Sequence, residues 1–266
     1  MIIDFHTHVF PDRIAERTVS YLAEKSGNPP YYNGSVDGLL SKMRDSGVDL
    51  SVVLPVVTAP KQFESINGFA AEINAKYSPS LISFGGIHPE CEDLEGKMTA
   101  IKEMGLFGVK IHPDYQSTYI DDEKYVRILE LARELDLTVV THAGVDCGYP
   151  GEPVKCTPER AKRLIRRVPY AKLVLAHLGG SEMSCDVLST LAGEDVYFDT
   201  AFVLQNERPE RVCEIIEKHG AERILFASDG PWSDVGTDVA RIRALGLGKD
   251  TEEKIFSLNA KKLLGI

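Results

Sequence analysis

No stretch of this 266-residue chain approaches the ~18 consecutive apolar residues of a membrane-spanning helix. Met1-Ile2-Ile3-Asp4 opens the chain without the basic region and apolar core of a secretory signal, so a cytoplasmic protein is expected. Paired cysteines are missing too. Cys91, Cys147, Cys156, Cys185 and Cys213 are odd in number, scattered and never spaced CxxC. That excludes a zinc ribbon or dithiol redox motif and reads as free thiols in a reducing compartment. No like-charge block is long enough to form an interaction tail. Gly179-Gly180-Ser181 resembles an anion nest but lacks the lysine of a phosphate-binding loop. No internal repeat, linker or low-complexity tract divides the chain, so residues 1–266 are expected to form one domain.

What is present points to a globular enzyme. Forty acidic residues outnumber 30 basic ones, and the net charge of −10 argues against nucleic-acid or anionic-membrane partners. A small-molecule partner is left. Hydrophobic residues at 43% supply enough core to exclude disorder. The length lies close to the ~250 residues of a single (β/α)8 barrel.

Short apolar runs alternate with amphipathic stretches along the whole chain. Strands are expected at Ile2–Val9, Leu50–Val57, Leu81–His88, Phe107–His112, Thr138–Ala143, Lys172–Leu178, Val196–Phe202 and Arg223–Ser228. Between them lie segments of helical period such as Asp122–Leu135 and Pro209–His219, with starts at Thr157 and Ser181 and stops at Gly47 and Gly220. Eight strand–helix units predict an α/β fold, a parallel (β/α)8 TIM barrel, over an open doubly wound sheet. The long connection Phe10–Asp49 holds a helical piece (Arg13–Lys25) and a turn-rich aromatic segment. Its Tyr31 and Tyr32 are expected to form a lid over a substrate pocket, with Trp232 as a further wall.

The histidines carry the chemistry. Barrel enzymes react where strands end at the C-terminal face. His6, His8, His88, His112, His142 and His177 all end strands, whereas His219 ends a helix, where an imidazole complements the dipole. Alternation puts residues 4, 6 and 8 on one side of strand one, leaving Ile3 and Phe5 to face the helices. It likewise groups His142 with Val140, His177 with Leu173 and Leu175, and Asp229 with Leu225 and Ala227. His6, His8, His142 and Asp229 together offer three nitrogens and one oxygen. That set suits zinc, and also manganese, iron or cobalt, with a place left for water. His88-Pro89 and His112-Pro113 read first as turns. Alternation with Tyr197 leaves open whether Asp199 faces the site or an outer helix.

The stretch IIDFHTHVFPDRIA, the blocks GGIHPE, GVKIHP, VVTHAG and LAHLGG, and the final ILFASDGPW resemble the amidohydrolase superfamily. They are most similar to its compact, barrel-only branch of metal-dependent hydrolases and decarboxylases, which includes amino-carboxymuconate-semialdehyde decarboxylase and resorcylate decarboxylases. The blocks run in order from strand one to strand eight, and no residues remain for the added β-sandwich of larger members. The resemblance implies that His6, His8, His142 and Asp229 are metal ligands. It implies that His177 acts on substrate or water, or binds a second ion. Lys110 in GVKIHP resembles the lysine that binuclear members convert to a bridging carbamate; the competing role is an ammonium paired with Asp229 or a substrate carboxylate. His112 shares its side of the strand and joins these second-metal or substrate candidates. One ion, most readily Zn2+, is favoured over two.

Three functions follow in order. The first is hydrolysis of an amide, ester or lactone in a small carboxylated molecule. There Asp229 moves the proton of a metal-activated water and His177 polarises the carbonyl. The second is decarboxylation of an aromatic or unsaturated carboxylate. The last is a barrel that binds metal or ligand without turnover. The helical exterior suits a homo-oligomer, though the sequence shows no seam.

Overall fold

The computed structural model describes residues 1–266 as a closed eight-strand TIM barrel. Its strands are β1 (Ile3–Thr7), β2 (Leu50–Val53), β3 (Leu81–Ser83, resumed at Gly85–Gly86), β4 (Gly108–Ile111), β5 (Thr138–Thr141), β6 (Leu173–Leu175), β7 (Tyr197–Asp199) and β8 (Ile224–Leu225). Every neighbouring pair is parallel. The ring closes where Phe5 N–H donates to the Phe226 carbonyl (2.9 Å) and Asp229 N–H to the His6 carbonyl (2.9 Å). At Phe84, between the two pieces of β3, the amide donates to the Val53 carbonyl (2.9 Å), so the wall is continuous. No helix is long and apolar enough to cross a membrane.

All eight expected strands are present, each shorter than its apolar run. The outer helices follow from local chemistry. Glu123–Glu134 is capped by Asp122, whose carboxylate accepts the Lys124 amide at 3.0 Å, and buries Tyr125, Ile128, Leu129 and Ala132 at helical spacing. Thr157 caps Pro158–Arg167 in the same way, and Gly47 ends Val36–Ser46 at φ +69°, which glycine alone adopts freely. Ser181 starts no helix. It pairs with Gly144 in an isolated bridge, and the helix begins at Ser184.

Two apolar layers show which way each strand faces. Ile3, Phe5, Val52, Leu54, Ile82, Phe84, Val140, Val174, Leu225 and Ala227 form the interior, and Ala260, Leu263 and Leu264 of the C-terminal helix (Asn259–Leu264) pack against them. The outer layer joins Val109, Ile111, Val139, Leu173, Leu175, Phe198 and Phe226 to the surrounding helices. Lys110 is registered beside Val140, and Asp199 beside Leu225, so both face inward.

Two expectations from alternation fail here, each for a backbone reason. Ile3 and Phe5 face the interior, while Asp4 turns outward against Tyr32, Leu39 and Met43. A bulge between Asp4 and Thr7 then shifts the register by one residue and re-aims the strand. Leu173 and Leu175 lie in the outer layer, so they do not share a side with His177. Positive φ at His177 (+59°) and Leu178 (+50°) swings that imidazole back over the barrel mouth.

His219 also departs from its expected role. It is 1% exposed and stacks on Phe198 at 3.7 Å. Nε2–H donates to the Val196 carbonyl (2.9 Å) and Nδ1 accepts the Gly193 amide (3.2 Å), so the ring is neutral and cannot serve the helix dipole as a cation. Burial pulls its pKa from 6.5 to about 4. Between those values the unfolded chain takes up a proton that the native state refuses. The stabilisation is complete above pH 6.5 and lost as pH falls toward 4, a change of up to about 3 kcal/mol. Denaturant unfolding across this window should show that slope, and His219→Asn should flatten it; equal slopes in both proteins would refute the assignment.

Candidate metal centre

The bulge in β1 brings His6 and His8 to the mouth of the barrel with their outer nitrogens already engaged. His6 Nδ1 donates to Asp199 Oδ2 at 2.9 Å, and His8 Nδ1 donates to the Leu54 carbonyl at 2.8 Å. A carboxylate and a carbonyl only accept, so both Nδ1 atoms carry protons and both Nε2 atoms turn inward. Those atoms converge on Asp229 Oδ1, at 3.1 Å from His8 and 3.4 Å from His6. Each residue offers a donor atom, and the three lie within 4.8 Å of one another. Burial would raise the Asp229 carboxyl, but His6 and His8 outweigh it and hold it below the usual carboxylate range. Asp229 reaches this position through φ +69°, fixed by the amide bond to the His6 carbonyl.

Lys110 rises from β4 into the same space. It is 1% exposed, and Nζ stands 3.0 Å from His6 Nε2. Burial pulls its pKa down to about 8 against the opposing pull of Asp199 and Asp229. Burial and Lys110 together keep His6 well below its ordinary value.

His142 does not join the first trio. Its Nδ1 meets His177 Nε2 at 2.9 Å, and it clusters with His112 and Asp146 within 4.8 Å. The reason is packing: the His142 ring stacks on His112 (4.3 Å, 10°), and His177 is turned toward it by the left-handed backbone. The expected four-residue ligand set is thus divided between two neighbouring groups. His177 Nδ1 donates to the Ala201 carbonyl (2.8 Å), leaving Nε2 as an acceptor. His142 Nε2 is buried without a partner. Burial, with His112 beside it, holds His142 well below the ordinary histidine range.

Asp146 and Gln116 gave no readable sequence signal, and alternation left the direction of Asp199 open. Asp146, just past β5, faces His112 Nε2 at 3.2 Å. Asp199 is fully buried and accepts from His6. Gln116 ties three strand ends together. Its Nε2 donates to the Val57 (2.8 Å) and Ile87 (2.7 Å) carbonyls, and its Oε1 accepts from His112 N (3.1 Å) and Tyr125 Oη (2.7 Å). His88 lies in neither cluster; its Nδ1 accepts the Glu90 amide at 3.1 Å, a local turn.

The aromatic lid residues divide as well. Tyr31 is exposed, with its amide on the Pro231 carbonyl (2.8 Å). Tyr32 is a strut: its hydroxyl donates to the His8 carbonyl at 2.8 Å. Trp232 is half-buried beside the strand-eight turn. The wall toward solvent comes instead from Tyr115, stacked on His112 at 3.9 Å, and Tyr149, 5.5 Å from Tyr115. Lys25 Nζ lies 3.6 Å over the Tyr149 ring.

These donors fit a divalent cation. Two freed imidazole nitrogens, an ionised carboxylate and an unpartnered buried nitrogen on His142 match the borderline-soft N/O preference of zinc, manganese, iron or cobalt.

A closed parallel barrel with such donors at its C-terminal rim defines a class of TIM-barrel enzymes. The Amidohydrolase family matches residues 3–266, and the chain belongs to it. No curated protein sequence matches. Among solved structures, the chain is similar to 2,6-dihydroxybenzoate decarboxylase from Rhizobium (18% identity, TM-score 0.76, covering 99% of this chain and 98% of that one). It is also similar to 5-carboxyvanillate decarboxylase from Sphingomonas paucimobilis (17% identity, TM-score 0.72, covering 100% and 99%). A third is dihydroxybenzoic acid decarboxylase from Polaromonas sp. JS666, with bound manganese and the inhibitor 2-nitroresorcinol (16% identity, TM-score 0.72, covering 99% and 96%). At these identities the likeness shows the barrel fold.

Gln116→Leu would leave two carbonyls, an amide and a hydroxyl unpaired in the interior. At ~1–3 kcal/mol for each such group, about 3 kcal/mol or more of unfolding free energy should be lost in denaturant titration; a loss below about 1 kcal/mol would show that the three strand ends hold without it.

Proposed function

We propose that this protein is a metal-dependent hydrolase cleaving an amide, ester or lactone bond in a small carboxylated molecule, with the cation at His6, His8 and Asp229. The observation that carries this reading is the convergence of two inward-facing Nε2 atoms on a carboxylate held below its usual range. A divalent cation, zinc or the manganese seen in the Polaromonas enzyme, supplies Lewis acidity and a water with a pKa near ~7 when bound. Asp229 is the base: ionised at neutral pH, it takes the proton of the attacking water and returns it to the leaving group. His177 holds its proton on Nδ1, so its Nε2 accepts. That disposition suits a ligand or a base, and the expected polarisation of a carbonyl would require an imidazolium.

The grouping of His142 with His112 and Asp146 within 4.8 Å supports a second cation position beside the first, where the sequence favoured one ion. Lys110 stands next to His6, placed for either a bridging carbamate or a charge partner to Asp229.

Decarboxylation is the second reading, and a specific feature favours it. The ladder His142, His112, Tyr115, Tyr149 is a run of stacked rings tilted at its outer end, where Lys25 offers a cation to a substrate carboxylate. The similar structures named above are decarboxylases of ring carboxylates.

Incubating the metal-loaded protein with a panel of lactones, cyclic amides and aromatic carboxylates in isotopically labelled water separates the two. Solvent oxygen in the product supports hydrolysis; carbon dioxide release without it moves the assignment to decarboxylation. Under either outcome Asp229→Asn should lower kcat/KM by at least roughly 100-fold, and an unchanged value at equal metal content would remove Asp229 from the chemistry.

Elemental analysis of protein purified after zinc or manganese loading should find two equivalents per chain, falling to one in the double variant His142→Asn, His177→Asn. One equivalent in the wild type would return the centre to a single ion.

A further inference from the structure

Asp199 is one of the few fully buried carboxylates in the molecule, and every hydrogen bond it makes ends on the centre. Oδ2 accepts from His6 Nδ1 at 2.9 Å. Oδ1 accepts from the backbone amides of His177 (2.9 Å) and Ala201 (3.1 Å). His6 is the only basic side chain within ion-pair distance. The His177 amide belongs to the turn in which two successive non-glycine residues hold positive φ, a conformation that persists only where its surroundings enforce it. One carboxylate from β7 thus grips a donor of the first cluster and the backbone beneath the second.

We propose that Asp199 is the positioning residue of this centre: it fixes the His6 proton on Nδ1, so that Nε2 faces the cation as a lone pair, and it holds the turn that aims His177. The inference rests on the reading that His6 holds a metal ion. Its chemistry follows from what a carboxylate can do. Both oxygens only accept, so the ring nitrogen facing Oδ2 must carry hydrogen. Asparagine keeps the shape and one accepting oxygen, which the two amides retain, but its amino group then faces His6. An N–H can pair only with a lone pair there, so the His6 proton moves to Nε2 and blocks the donor. The same exchange of carboxylate for amide sets the wrong histidine tautomer in catalytic triads.

Asp199→Asn is the test, with three measurements on the full chain. Zinc affinity is read by competition with a chromophoric chelator, the His6 tautomer by ring-nitrogen NMR of metal-free protein, and folding by thermal unfolding. The expected result is a roughly 10- to 100-fold weaker zinc affinity, a His6 proton moved from Nδ1 to Nε2, and a cooperative unfolding transition. Unchanged affinity, or weakened affinity with the tautomer unmoved, would overturn the proposal, since a purely structural residue would not relocate that proton. Should the variant not fold, the wild type alone decides: metal-free His6 must carry its proton on Nδ1, and an Nε2 proton would refute the role. A wild type that binds neither zinc nor manganese would sink the metal reading itself, and the tautomer measurement would still judge Asp199.

Discussion

Imidazoles crowded into one buried space must each have the ring proton placed by a partner, and this constraint organises the mouth of the barrel. His6, His112, His142 and His177 are all more than nine-tenths buried. Burial disfavours protonation of His6, His112 and His142, so these three do not relieve the crowding by becoming cations. The protein fixes each proton from outside instead. Asp199, the Leu54 carbonyl and the Ala201 carbonyl take the Nδ1 protons of His6, His8 and His177, which turns the opposite nitrogens inward. Inward nitrogens held this way would serve as a ligand set for a cation.

The barrel supplies this arrangement through its closure. Asp229 reaches His6 and His8 because its amide bonds to the His6 carbonyl, the same contact that joins the last strand to the first. The contact that closes the ring therefore also places Asp229. Gln116 does the corresponding work on the far side, tying the ends of β2, β3 and β4 beneath His112. Both devices place polar side chains where parallel strands run out of ladder partners.

Much of this was legible in the sequence because parallel strands buried on both faces read as continuous apolar runs. Eight such runs, each followed by a helix, gave the barrel, and the histidines at their ends marked the rim. What escaped was the direction of individual side chains. The bulge in β1 depends on how that strand registers against β2, a pairing 47 residues distant in the case of Ile3 and Leu50 that no local pattern encodes. The turn at His177 needs positive φ at two residues that rarely adopt it, imposed by Asp199 from another strand. His219 misled for a related reason: a helix terminus argues for a cation by local rules, whereas burial against Phe198 decides for the neutral ring. Asp146 and Gln116 sit in loops, where residue type alone carries little sign of a partner.

The division of the donors into two groups bears on the role of Lys110. A buried ammonium beside His6 Nε2 is tolerable while Asp229 and Asp199 offset it. A dication held by His6 reverses that balance, because two positive centres would then share a desolvated space with the same carboxylates. Lys110 must in that state become neutral, or become an anion by carbamylation, or swing toward an acidic substrate group. The first two options fit a centre in which His142 and His177 also bind an ion, since either removes the repulsion between the two groups. The third fits a single ion with a carboxylated substrate. A charged Lys110 thus goes with one ion, and a neutral or carbamylated one with two.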